Sequence, residues 1–276
     1  MASFRLSKWY LDCVTDAGDV IVAYAATLDW GPLTLRYAAT LTRPGGGGAR
    51  SESTLLGIEE PAQNGEDPAG LAGGDIVWGS ERLRIDGRWT PLAPLLGAIL
   101  FQSPRGKVEW TCHQPRARVR VKVAGASFEG LGYVEHLVLT FAPWSLPIDE
   151  LRWGHFLGEK SALVWIDWRG PHATQLVAKD GILSGAARID DGSVVSADGR
   201  VVLSIEDSAV LRRGPIGETA LADLAGSGKV RLPVRILQVD EKKWRARGTL
   251  CANGQTDRGW IIHETVRWPA RAGEPA

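Results

Sequence analysis

SVVSADGRVVLSI, residues 193–205, reads as one complete β-hairpin. Two extended, β-branched arms flank Asp198-Gly199, a pair suited to a tight turn whose central residues both take positive φ. The same punctuation recurs at Asp86-Gly87, Asp180-Gly181, Asp191-Gly192 and Asn253-Gly254, each between runs that read as extended. Upstream, Asp19–Leu28 (DVIVAYAATL) and Leu33–Leu41 (LTLRYAATL) are two strands joined by Asp29-Trp30-Gly31-Pro32. Val119, Val121 and Val123 alternate with Arg118, Arg120 and Lys122, the period of a strand with one buried face. Gly45–Gly48 and Asn64–Gly74 read as loops. Helical pattern is confined to short turns at Ile148–Gly154, after Pro147, and at Glu218–Leu224. The fold class is therefore all-β with few short helices. A closed or sandwiched sheet system is expected, because it leaves few open edges among so many strands. No internal repeat stands out. Two β units of similar size fit the length, with a boundary near Ser127 that separates 1–126 from 127–276.

The totals narrow the function. Of 276 residues, 44% are hydrophobic, enough for a substantial core. Lys+Arg and Asp+Glu balance at 32 each. That argues against nucleic acid as a partner, since such affinity comes largely from neutralised phosphates, and against an anionic membrane surface. The row Arg116, Arg118, Arg120 and Lys122 is then expected to be a solvated face answered by acids on a neighbouring strand. The three cysteines are scattered, with neither a disulfide framework nor a zinc spacing. The opening MASFRLSKWYLDC lacks the features of a secretory signal, and no apolar run approaches the roughly 20 residues that span a bilayer. A cytoplasmic protein without membrane insertion is expected. Phosphate-loop, nucleophile-elbow, zinc-protease and dinucleotide signatures all fail on inspection.

The chemistry is concentrated between Gly130 and Gly170. That stretch holds four of the twelve tryptophans (Trp144, Trp153, Trp165, Trp168), two of the five histidines, and the acids Glu135, Asp149, Glu150 and Asp167. Such interleaving predicts a mostly apolar pocket with a few inward polar groups. Protonating a carbon–carbon double bond needs a carboxylic acid kept protonated near neutral pH, and burial against apolar walls provides it. In a strand, Trp165 and Asp167 share one face and Trp168 takes the other. The competing reading pairs Asp167 with Arg169 or Arg152. Glu135 and His136 point to opposite faces, so at most one of them enters a given pocket. Arg152 suits a substrate carboxylate or enolate, or else a salt bridge. Tyr10 and Asp12 share a face of the first strand, with Trp9 on the other.

Two phrases carry a family resemblance: Lys8-Trp9-Tyr10-Leu11-Asp12 near the start, and Gly132-Tyr133-Val134-Glu135-His136 followed some 30 residues later by Trp165-Ile166-Asp167-Trp168. They resemble the lipocalin-like superfamily of carotenoid 1,2-hydratase, the AttH-like proteins and certain Diels–Alderases. The resemblance implies two lipocalin-like β-barrel or β-sandwich units with a ligand pocket at or near their junction. It makes His136 the family histidine and Asp167 the proton-transferring acid, with Trp165 where that phrase usually has Tyr. Val138 stands where the family has Trp, so a wall of the hydratase pocket must come from elsewhere, such as Trp144 or Trp153.

The expected activity is a cofactor-independent hydration, isomerisation or cyclisation of a small apolar unsaturated molecule. Asp167 and His136 would be catalytic. Trp165, Trp153, Trp144, Tyr133, Arg152 and Tyr10 would bind substrate, with no metal. A non-catalytic carrier of a hydrophobic small molecule is the alternative, and a filled-core structural protein a third. An Asp167–Arg ion pair favours the carrier.

Overall fold

Period-two alternation becomes strand along most of the chain. The structure is a computed structural model describing residues 4–44, 47–57, 68–70, 73–226 and 231–270. It divides into two compact units, Met1–Ala142 and Pro143–Ala276. Parts of the two expected glycine-rich loops, 45–46, 64–67 and 71–72, lie outside the described residues, as do 227–229 of the phosphate-loop look-alike.

The first unit is one antiparallel sheet of β1 (Phe4–Thr15), β2 (Val20–Trp30), β3 (Leu33–Arg43), β4 (Arg50–Gly57), β5 (Ala69–Gly70), β6 (Ile76–Ser80), β7 (Ile85–Pro91), β8 (Leu96–Ser103), β9 (Gly106–Val123) and β10 (Ala126–Leu139). Its order is β4-β3-β2-β1-β10-β9-β7-β6-β5, with β8 also pairing β9. The second sheet holds β11 (Glu150–Gly158), β12 (Ala162–Arg169), β13 (Thr174–Lys179), β14 (Ile182–Ser184), β15 (Ala187–Ile189), β16 (Ser193–Ser196), β17 (Val201–Pro215), β18 (Asp240–Ala252) and β19 (Gln255–Arg267). Its order is β14-β13-β12-β11-β19-β18-β17-β16-β15. The plan is the same in both. The first strand pairs with the last, and the free edges fall in the middle of each unit's sequence. Each sheet curls as a half-barrel, the lipocalin-like arrangement expected. The repeat is one of topology.

Side chains show which face each sheet buries. On β9, Val119, Val121 and Val123 are buried while Arg118, Arg120 and Lys122 are exposed, and Glu129 of β10 answers Arg120 at 2.9 Å. Trp78, Trp89, Leu11, Val119 and Val134 belong to the first core; Phe156, Leu163, Trp165, Leu250 and Ile261 belong to the second.

Several local expectations are corrected. Ile148–Gly154 is not helical: β11 begins at Glu150 and is hydrogen-bonded on both sides, to β12 and β19, which no helical turn can be. The other short turn appears later than expected, as α1 (Ala222–Gly226), and α2 (Val234–Leu237) follows it. Asp180-Gly181 (φ 50° and 80°) and Asn253-Gly254 (φ 51° and 75°) make the expected turns. At the 193–205 hairpin only Gly199 has positive φ (68°). Asp86-Gly87 lies inside β7, where a Cβ on Gly87 would come within 2.6 Å of the Trp89 ring. Finally, Ala126–Leu139 pairs with β1 and β9 and belongs to the first unit, so the units meet at Ala142/Pro143 and not near Ser127.

Candidate functional site

In the first unit, the face of β1 opposite Leu11 carries a buried polar chain. Asp12 Oδ2 accepts the Tyr10 hydroxyl at 2.9 Å, and Asp12 Oδ1 accepts the Tyr133 backbone N–H at 2.9 Å. Register shifts flank Val134, between Gly132 and Glu135. Such irregularities bend a strand and re-aim its side chains. Here the Tyr133 hydroxyl donates to Glu135 Oε2 at 2.8 Å, and Trp110 Nε1–H donates to the same oxygen at 2.6 Å. Tyr133 and Trp110 are buried, whereas Glu135 is half-buried. Burial, then Cys112 and Glu135, push the Tyr133 phenol well above its usual range, so it keeps its proton and remains a donor. The result is a carboxyl group fixed from behind by two donors.

His136, the next residue, faces the other way. Its imidazole stacks on Trp9 at 4.3 Å and 12°, and Ser7 Oγ lies 2.7 Å from Nε2. Burial, with His113 and Arg5 nearby, lowers its pKa to about 4, leaving a neutral ring at pH 7.

The other expected residues lie in the second unit. Asp167 is 7% exposed and takes the competing arrangement: Arg169 Nε and Nη2 reach its Oδ2 at 2.8 and 2.7 Å, and Gln175 Nε2 reaches Oδ1 at 3.2 Å. Arg152 is directed to Glu150 (2.6 Å) and Asp191 (2.5 Å). Trp165 is buried in the second core, its ring crossing β11 at Gly154, where a Cβ would stand 2.3 Å from Trp165 Cζ2. Trp153 faces oppositely, 5.1 Å beneath the Lys243 ammonium. Lys243, 1% exposed, is bonded to Glu264, and Arg212 grips Glu241 at 2.8 and 2.9 Å beside it. The Trp144 carbonyl accepts Arg235 Nη1 at 3.0 Å. Tyr10, Tyr133 and His136 thus belong to one unit; Trp144, Arg152, Trp153, Trp165 and Asp167 belong to the other.

Reading the sequence favours His136 over Glu135 and misses Trp110, Lys243, Glu241 and Glu264. Glu241 and Lys243, alternate members of DEKKW at 240–244, are buried, and that burial is what reveals the network. Among the described residues, no group of three or more His, Cys, Asp or Glu side chains is placed to hold a metal ion. No helix among them is long and apolar enough to cross a membrane.

The two half-barrels are a fold shared with solved AttH-type, lipocalin-like structures. An AttH candidate from Nitrosomonas europaea superposes with TM-score 0.54 at 12% identity, covering 94% of this chain and 92% of that one. Kievitone hydratase from Nectria haematococca gives 0.53 at 12% identity, covering 96% and 89%. CghA with Sch210972 gives 0.54 at 12% identity, covering 96% and 88%. At this identity the likeness establishes the fold. No protein-family model and no curated protein sequence matches the chain.

Proposed function

We propose that the protein is a cofactor-independent enzyme that converts a small, apolar, unsaturated molecule by proton transfer, with Glu135 as the proton-exchanging group. The observation that carries this reading is the convergence of Tyr133 Oη–H and Trp110 Nε1–H on one Glu135 oxygen. Both donors are buried, so the half-buried carboxyl is held in one orientation before any substrate arrives, as proton transfer requires. Asp12, bonded to Tyr10 and to the Tyr133 backbone, anchors the donor. That one structure sharing the fold bears the name of a hydratase is in keeping with this chemistry. The reading moves the acid role from Asp167 to Glu135 and takes His136 out of this proton transfer.

The test is turnover in heavy water against polyenes, isoprenoids, unsaturated fatty acids and polycyclic alkenes, following deuterium into carbon–hydrogen bonds. Glu135→Gln is expected to lower deuterium incorporation by about 10²–10⁴-fold, the usual contribution of a general acid or base. Full incorporation by that variant would sink the assignment. The second reading, a carrier, is favoured by the Asp167–Arg169 pair. It would be upheld by saturable tryptophan quenching with one of these compounds and no conversion of it.

A further inference from the structure

Arg5, Ser7 and Trp9 occupy alternate positions of β1 and share a face. His136 lies directly across from Trp9 on β10, so Ser7 is its diagonal neighbour. A serine hydroxyl is a weak nucleophile until a positioned base takes its proton, and the distance that permits this is about 2.6–3.2 Å. Ser7 Oγ and His136 Nε2 are 2.7 Å apart. The imidazole is held in place: Trp9 lies against it at 4.3 Å and 12°, and His113 stacks on the same indole at 4.9 Å and 22°. The two imidazole centroids are 6.2 Å apart, too close for the indole to lie between them, so both rings lie on one side of it. Ser7 and His136 are half-buried and Arg5 is exposed, which leaves the pair open to a reactant.

We propose that Ser7 and His136 form a nucleophile–base dyad that transfers acyl groups from small carboxylic esters, a second activity that does not rest on Glu135. Ser7 Oγ bonds to the acyl carbon as its proton passes to His136 Nε2. The ester C–O bond then breaks, and the departing alkoxide takes that proton as the alcohol. Water, deprotonated by His136, releases the acid and restores the Ser7 hydroxyl. Ester and water thus give acid and alcohol, with no other reactant. Arg5, across from Asp29 of β2, shares the strand face of Ser7, whereas the adjacent Lys8 lies over the Tyr24 ring on the other face, and Arg5 is suited to steady the oxyanion. Trp9 offers an apolar wall for the acyl chain. The neutral state of His136, from its lowered pKa, leaves Nε2 able to accept the proton at pH 7.

The experiment treats the full chain with a fluorophosphonate and maps the adduct by mass spectrometry. In parallel, p-nitrophenyl acetate hydrolysis is followed. The expected result is one adduct, on Ser7. Ester turnover should be lost in Ser7→Ala and reduced on the order of a hundredfold in His136→Gln. No adduct, or an adduct on another residue of the unaltered protein, would overturn the dyad without recourse to any variant. Turnover unchanged in Ser7→Ala would overturn it as well.

Discussion

The Asp167 carboxylate and the Gln175 amide are hydrogen-bonded across β12 and β13, Nε2 to Oδ1 at 3.2 Å. Gln175 Oε1 in turn accepts the Ala187 N–H at 2.7 Å, and Arg169, also held by Asp167, donates to the Ile189 carbonyl at 2.6 Å. Ala187 and Ile189 bound β15, an edge strand with no ladder to β13 or β14. Side chains radiating from Asp167 therefore close a seam that backbone pairing leaves open. Asp167→Asn is expected to cost about 1.5–3 kcal/mol, the range for hydrogen bonds to a charged group. It should also speed amide exchange at Ala187; Gln175→Ala should speed that exchange at smaller cost. Unchanged exchange in both variants would show that the seam is closed by something else.

Lys243 is buried against Glu264, Glu241 and the Trp153 ring. Removing one member of such a pair strands the other charge in a low dielectric, so Lys243→Met should lose roughly 3–5 kcal/mol in denaturant unfolding. The double variant Lys243→Met/Glu264→Leu should recover much of that loss. A single variant as stable as the parent would mean that water reaches the group.

Gly154 lies within β11, and its missing side chain is what lets Trp165 pass. A Cβ would stand 2.3 Å from Trp165 Cζ2 and 2.7 Å from His263 Cβ. Gly154→Ala should therefore lose about 1–3 kcal/mol through overpacking, with the near-ultraviolet tryptophan signal altered. Unaltered stability would show that the indole relocates freely.

His136 and His263 each stack on a tryptophan, and burial lowers both from 6.5 to about 4. The unfolded chain takes up protons that the folded chain does not, so stability is whole above pH 6.5 and falls as pH drops toward 4. Glu150 and Asp190, held below their ordinary values of 4.5 and 3.8, add a further loss only at more acid pH. A melting temperature falling between pH 7 and 5 is expected. His136→Gln/His263→Gln should remove most of that slope; a slope intact in the double variant would assign it elsewhere.

The strands were legible because alternation is a local property: 119–123 and both arms of the 193–205 hairpin show it directly. Closure was not, since joining β1 to β10 brings Ser7 to His136 across 129 positions. A strand beginning soon after Pro147 looked helical because its partners β12 and β19 both lie downstream. Faces were legible too: Tyr10 with Asp12, and Trp165 with Asp167. What those faces meet was not. The resemblance favours His136 over Glu135, and only the irregular backbone at 132–135, which turns Tyr133 toward the carboxyl while Trp110 arrives from β9, brings Glu135 forward.

The pairing of each unit's first strand with its last also orders events during synthesis. Phe4–Thr15 is synthesised before every other strand of its unit, yet its partner Ala126–Leu139 is the last of that unit's strands to appear. Until then one long edge, with Trp9 and Leu11 on it, has only β2 for company. The nascent chain therefore spends most of the first unit's translation with an unpaired β edge exposed, and slowed elongation before residue 139 should raise misassembly more than a pause after it.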